Sequence, residues 1–483
     1  MICISVTPSS RRLAAADLFN ASRYCDLIEL CLDGLKKLPD VGALLRAVEK
    51  PVLVSCRREC DGGQWSGSEP DRIQLLRNAI VAGPAYVELE LDIANDIPRF
   101  GNTKRVISHT NLRSPLKQAA IDQVFEDCWK AKADIVKFTW RTDTLDDAWP
   151  LLAAATQNRE LPVVGKGIGP GGLAYALLAR RYGSPWVYAA LEAGMETFSG
   201  EANVWQLKEE YCWSEIDRRT RFVGIIGRDD AENATTRILN AAFREYNVPV
   251  RCLPLLPGRP DRLRKMLEVL KIRALLVNHQ HAADMAHLVD DLHHSVRDDG
   301  YLDVLTEKEG RWKARASLFD ALESAAASEG GGKEWAQGRT ILVVGAGSLS
   351  VSAAARYGQM NAAVSLAAPS DNDAVRAAKK ADVRHVPWAT IHSLVTEGII
   401  LADPDVEYGT GRSQLNPSIL RENMTVIDLM KYPAESAIAN EAHARGCRYL
   451  SPSLVFANQL QTQFRYLTGK TIPLEAFQQG LSE

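Results

Sequence analysis

Ala133-Asp-Ile-Val-Lys-Phe-Thr-Trp140 sets one lysine, Lys137, inside an otherwise largely apolar run. A charged side chain in a central strand is costly unless it points into a site. Runs of the same character recur on both sides of it. ICISV from Ile2, DLIELCLD from Asp26, PVLVSC from Pro51, YVELEL from Tyr86, RVISH from Arg105, DIVKFT from Asp134, PVVG from Pro162 and WVYAAL from Trp186 make eight short runs rich in β-branched residues. Segments such as 71–81, 115–131, 145–156 and 172–181 carry helical spacing between them. Alternation of this kind predicts a parallel sheet, and eight βα units in about 220 residues predict an α/β chain opening with a (β/α)8 TIM barrel.

The chain has 483 residues, 46% hydrophobic and 24% charged, which suits several globular domains and excludes disorder. No apolar run reaches the ~18 residues of a membrane span. With 57 basic against 60 acidic residues the net charge is −3, too small a field to gather nucleic acid or an anionic membrane surface. Small-molecule chemistry is therefore expected. Nine cysteines without a C-x-x-C pair read as reduced thiols, and MICISVTPSSRR lacks the continuous apolar core of a signal peptide, so a cytoplasmic location is expected.

Barrel chemistry sits at the C-terminal ends of the strands, where five ionisable residues fall: Glu29, Arg57, Glu90, His109 and Lys137. Desolvation lowers an amine's pKa, and a neutral Lys137 attacks a ketone to form a Schiff base. His109 is the first histidine in the chain and suits proton shuttling, with Glu90 on the neighbouring strand to orient it.

These residues resemble the type I 3-dehydroquinate dehydratases across most of residues 1–215. The resemblance runs through D-L-I-E-L-C-L-D with Glu29, C-R-R-E-C-D-G-G with Arg57, V-E-L-E-L with Glu90, I-S-H-T-N with His109 and A-D-I-V-K with Lys137. It implies that Lys137 forms an imine with 3-dehydroquinate without any cofactor. It also implies that His109 takes the α proton and helps water depart, that Glu90 positions His109, and that Glu29 and Arg57 bind substrate. Three departures surround the substrate carboxylate. Cys31 replaces a usual arginine, Tyr175 and Ala176 fall where a serine–arginine pair is expected, and Glu201 replaces a glutamine in Thr197-Phe-Ser-Gly-Glu201. Lys166, Arg180 and Arg181 are the cations available to compensate.

After a charged stretch ending near Arg221 the βα pattern restarts. We place domains at residues 1–217, 218–325 and 326–483. TILVVGAGSLSVSAAARYG from Thr340 is a strand, a glycine turn and a helix, with Gly345 making the turn and Gly347 and Ser348 at the helix start, where a dinucleotide pyrophosphate is held. With Met424-Thr-Val-Ile-Asp-Leu-Met and the segment from Asn458 to Gly469, residues 221–480 resemble shikimate dehydrogenase. That implies a substrate domain, a Rossmann-type domain binding NADP or NAD, and Gln459 as a substrate ligand. Ala282 stands where the family has its catalytic lysine, and Leu318 where it has the partner aspartate. Hydride transfer to a ketone needs a proton donor, so dehydrogenase activity is doubtful. His279-x-His281 has no third ligand at a clear spacing, and no metal is expected.

The expected function is a lyase of the shikimate pathway, fused to a dehydrogenase-like module. The alternatives are a bifunctional enzyme that also reduces 3-dehydroshikimate, and a non-catalytic binding or regulatory protein. A homodimer stays open.

Overall fold

Each of the eight runs becomes a strand: β1 (Ile2–Val6), β2 (Leu27–Cys31), β3 (Val52–Ser55), β4 (Tyr86–Glu90), β5 (Lys104–Asn111), β6 (Ile135–Arg141), β7 (Val163–Ile168) and β8 (Val187–Ala189). They lie parallel in the order β7-β6-β5-β4-β3-β2-β1-β8. This computed structural model describes all residues except 36–38, 157–159, 228, 300, 330–334, 404–414, 430–431 and 482–483, and no side chains in 154–156 or 297–299. The chain divides into two compact units, Met1–Arg221 with Asn247–Lys271, and Phe222–Tyr246 with Ile272–Glu483.

Side chains alternate across a strand, so every second residue enters the barrel. Cys3, Leu27, Leu53, Val106, Ile135, Val164 and Trp186 make an apolar floor, with Tyr86 packed against it. Two residues further along each strand the same face carries Ser5, Glu29, Ser55, Glu88, Ser108, Lys137 and Lys166. A polar layer thus rests on an apolar base. The strand ladder runs from β7 to β8 the long way round. At the seam between these two ends, Ser184 Oγ lies 3.1 Å from the Val163 carbonyl and 3.0 Å from that of Trp186.

The second unit holds two sheets. In the first, β9 (Arg221–Ile226), β11 (Ile272–Val277), β13 (Val304–Lys308), β14 (Arg311–Arg315) and β12 (Asp291–Leu292) neighbour one another in that order. Strand β10 (Val250–Leu255) groups with the first unit. The β13–β14 hairpin interrupts the βα alternation expected there. Glu309 and Gly310 at its tip both have positive φ, as a tight two-residue turn requires. The second sheet is wholly parallel: β17 (Arg384–His385), β16 (Ala363–Ala367), β15 (Thr340–Val344), β18 (Gly398–Leu401), β19 (Thr425–Asp428) and β20 (Arg448–Leu450). Its strand order reverses between β15 and β18, the crevice where doubly wound sheets take ligands. Helix Leu318–Ser328 spans the expected boundary at residues 325 and 326. Among the described residues no helix is long and apolar enough to cross a membrane.

Candidate active site

Lys137 lies at the centre of the polar layer, fully buried on β6. Its Nζ donates to Glu88 Oε2 at 2.6 Å and stands 3.6 Å from Glu29 Oε1, so carboxylates from β4 and β2 converge on one ammonium. Desolvation alone would lower the amine's pKa. Glu29 and Glu88 outweigh it and raise the pKa above the ordinary lysine value, which corrects the expectation of a neutral amine. Burial likewise works to raise the Glu29 carboxyl, but Arg57, Lys137 and Lys166 hold it well below the usual carboxylate range. Ser5 donates to its other oxygen. Tyr188 closes the group, its ring centroid 4.8 Å from Lys137 Nζ and 4.3 Å from Lys166 Nζ.

Arg57 follows β3 and reaches back over this layer. Its Nη1 is 3.7 Å from Glu29 Oε1, and Nη2 is 3.4 Å from Cys31 Sγ. Cys31 receives the Ser55 hydroxyl at 3.6 Å, and burial pushes its thiol up to about 12, so it is a neutral wall. The loop beyond Arg57 folds back tightly: a Cβ on Gly63 would fall 2.1 Å from the Arg57 carbonyl. Asp33 fixes the loop by accepting from the Arg57 and Gln64 amides.

Among the described residues, neither His109 nor Glu90 is bonded to Lys137. Along the β5–β6 ladder Lys137 pairs with Ser108, whereas His109 pairs with Phe138. The His109 ring is edge-on to Phe138 at 6.4 Å, and Phe138 packs on Phe125 of helix Gln118–Lys130. Desolvation lowers the imidazole's pKa, against the opposing field of Asp61. Glu90 does not orient His109 either. Both its oxygens accept from Arg72 Nη1, at 2.8 and 2.9 Å. Burial pushes the Glu90 carboxyl up to about 7 although Arg72 opposes it. Arg72 is fully buried on helix Glu69–Val81, which Ser68 caps, and also donates to the Cys56 carbonyl and to Glu69.

The sequence reading missed Glu88 and Asp61. Glu88 has a signal, since it sits two residues before Glu90 on the same face of V-E-L-E-L. Of the three compensating cations only Lys166 faces the barrel, at 3.2 Å from Glu201 Oε1. Arg180 stacks on Trp213 at 4.8 Å, and Arg181 donates to the Leu270 carbonyl. Tyr175 is buried on the same helix as both.

In the second unit, Asp229, Glu232, Asn278, Tyr301 and Gln459 are among the residues lining a cleft of about 160 Å³. Gln459 Nε2 donates to Asp303 Oδ2 at 2.8 Å, and Asp303 also accepts from the Ser317 amide at 2.7 Å. Asn278 donates to Glu232 at 2.9 Å. Leu318 lines the cleft, and Ala282 opens a short helix after β11. Neither side chain can exchange a proton. Gly345 has φ +126°, and a Cβ there would lie 2.5 Å from Asp403 Cβ and from Ser350 Oγ, so its glycine is forced by packing. Gly347 caps helix Ser348–Gln359, and a Cβ there would meet no atom within 4 Å. Gly347 and Ser348 are exposed at the start of that helix. Asp371, which opens the helix Asp371–Ala381 after β16, accepts from the Trp388 amide at 3.0 Å.

The sequence model of the type I 3-dehydroquinase family matches residues 2–218. A 3-dehydroquinate dehydratase of Methanosarcina barkeri is 31% identical over 207 residues, 39% of this chain and 85% of the relative. The chloroplastic bifunctional 3-dehydroquinate dehydratase/shikimate dehydrogenase of Arabidopsis thaliana is 24% identical over 494 residues, 95% of this chain and 80% of the relative. The solved dehydroquinate dehydratase and shikimate dehydrogenase structure from S. pombe superposes with a TM-score of 0.46 at 16% identity, covering 100% of this chain and 98% of that one.

Proposed function

Because the chain belongs, through residues 2–218, to the type I 3-dehydroquinases and continues into a shikimate-dehydrogenase-like region, we propose that Lys137 forms an imine with the ketone of 3-dehydroquinate. The observation that carries this is a fully buried lysine at the barrel centre with Glu88 bonded to its Nζ. Glu88 accepts the ammonium proton, the freed amine attacks the ketone carbon, and Glu88 returns that proton to the carbinolamine oxygen, which leaves as water and restores the carboxylate. The iminium draws on the adjacent C–H bond. Glu88, bonded to Lys137 Nζ, is the base we assign to that proton. Loss of the β-hydroxyl as water, and hydrolysis of the imine, complete the dehydration. Glu29 and Arg57 hold the substrate's polar groups.

Borohydride trapping and solvent-deuterium exchange at the α carbon separate these roles. E88Q loses α exchange by about 10²-fold or more and also slows formation of the borohydride-trapped adduct on Lys137, because Glu88 is the group that frees the amine. H109A keeps both within about threefold. Loss of exchange in H109A with E88Q unaffected would return the base role to His109.

The second unit is suited to a nicotinamide dinucleotide at Gly345, Gly347 and Ser348, whose bound nicotinamide would supply hydride chemistry. Ala368-Pro369-Ser370 after β16 carries no cation for a 2′-phosphate, so we assign NAD(H) over NADP(H). Gln459 lines the substrate cleft. Ala282 and Leu318 leave a ketone there without the usual proton donor, so shikimate oxidation stays at background. Fluorescence titration is expected to show NADH binding at least tenfold tighter than NADPH, and G347V is expected to abolish it. Equal affinities would overturn the assignment.

A further inference from the structure

The interior of the barrel is already neutralised. Arg57, Lys137 and Lys166 face Glu29, Glu88 and Glu201, and all six side chains are at most 5% exposed. A carboxylate entering this layer therefore meets no unpaired cation. Five of the six stand on strands or at a strand end. Glu201 alone belongs to the loop after β8, and among the described residues its carboxylate is held only by Lys166 at 3.2 Å and the Thr197 amide at 2.8 Å. The loop backbone is fixed: Gly169 donates to the Ser199 carbonyl at 2.7 Å, Ala190 to that of Ala202 at 2.9 Å, and a Cβ on Gly200 would clash with the Gly169 carbonyl. Release of Lys166 thus needs a side-chain rotation and no loop movement.

A cavity of about 20 Å³ adjoins the pair, lined among others by Lys166, Tyr175, Tyr188 and Glu201. Among the described residues, Tyr175 Oη is buried there without a hydrogen-bond partner, and Lys166 Nζ and Glu201 Oε1 make no polar contact beyond their 3.2 Å ion pair with each other. An unpartnered hydroxyl beside a buried ion pair suits the void to a polar occupant. The void itself is about one water in size, and the volume of the Glu201 carboxylate added to it makes room for a ligand's carboxylate.

We propose that Glu201 is a built-in competitor for the ligand's carboxylate: it occupies Lys166 in the empty barrel and rotates away when an anionic ligand binds. This rests on the reading of the barrel as a site for a cyclic hydroxy acid bearing a ketone. The swap exchanges one ion pair for another, so the carboxylate gains little affinity, and the Lys166–Glu201 pair sets the charge of the ligand accepted.

Calorimetric titration of the full chain with quinate, which has a carboxylate but no ketone, and with its methyl ester tests this independently of imine chemistry. The wild-type protein is expected to bind acid and ester within about threefold of each other. E201Q binds the acid at least tenfold tighter and the ester unchanged, and adding K166M to E201Q removes the gain. E201A gives the same direction should E201Q fail to fold. Acid affinity in E201Q and E201A equal to or weaker than wild type, or undetectable, overturns the proposal. Tighter quinate binding in E201Q, with no 3-dehydroquinate adduct on Lys137 of the same protein, sinks the imine reading and leaves the competitor standing.

Discussion

Lys137→Ala will lower dehydration of 3-dehydroquinate by about 10⁴-fold or more, the scale at which removal of a covalent nucleophile registers, and will leave no borohydride adduct on the chain. Alanine also leaves Glu29 and Glu88 buried without their shared cation, so an inactive variant must be shown to be folded. Lys137→Met, which fills more of the vacated space, is the companion variant. In the wild-type chain the same pairing gives a pH dependence of known sign. The folded amine has its pKa raised above the ordinary lysine value, so it is almost wholly protonated near neutrality. The neutral fraction, and with it the initial trapping rate, rises with pH through the neutral and mildly alkaline range. Trapping that fell over that range, or activity retained in a folded Lys137→Ala protein, would exclude the lysine as nucleophile.

Arg72→Met will destabilise the first unit by about 3–5 kcal/mol, the cost of removing one partner from a buried ion pair. The arginine joins helix Glu69–Val81 to the Cys56 carbonyl and the Glu90 carboxylate with every donor group engaged. Methionine keeps the volume and abandons both acceptors. Urea unfolding followed by barrel tryptophan fluorescence measures the loss, and a change under ~1 kcal/mol would mean that the pair contributes little. Glu90 also makes the loss depend on pH. Its carboxyl is raised from 4.5 to about 7 in the folded chain, so the native state binds more protons than the unfolded state between those values. Its contribution is present in full at low pH and declines as pH rises through the window. Without Arg72 the carboxyl is raised further, so the variant's deficit shrinks below about pH 5 and is largest above 7. Because Cys56 precedes Arg57, loss of Arg72 should also weaken the hold of Arg57 on the site.

The eight strands were legible because each is short, β-branched and followed by helical spacing, and Lys137 was legible because an apolar strand has one reason to carry a lysine. Parity is what the strand sequences leave open. Ser108 and His109 are consecutive, and which of them faces inward is decided by the ladder with β6, where Ser108 meets Lys137. Nothing within R-V-I-S-H states that register. Glu88 and Glu90 share a face, so alternation could not say which one Lys137 meets. The choice falls to Arg72, which arrives from a helix and takes Glu90. The lysine's pKa went the wrong way for a related reason: desolvation is a property of one strand, whereas the carboxylates that outweigh it come from two others. In the second unit the glycine turn was readable from its strand and helix, but the β13–β14 hairpin was not sought where strands and helices were expected to alternate.

The seam between β7 and β8 gives the barrel a preferred place to breathe. Elsewhere adjacent strands are knit by consecutive amide–carbonyl pairs, while here a serine hydroxyl between two carbonyls does part of that work. Amides flanking the seam should be the first of the ring to lose protection against hydrogen exchange, at free energies well below global unfolding. Lys166 and Tyr188 stand on the two strands that border it. The looser joint therefore borders the half of the polar layer in which a carboxylate must change places, leaving the lysine on β6 within the fully laced part of the wall.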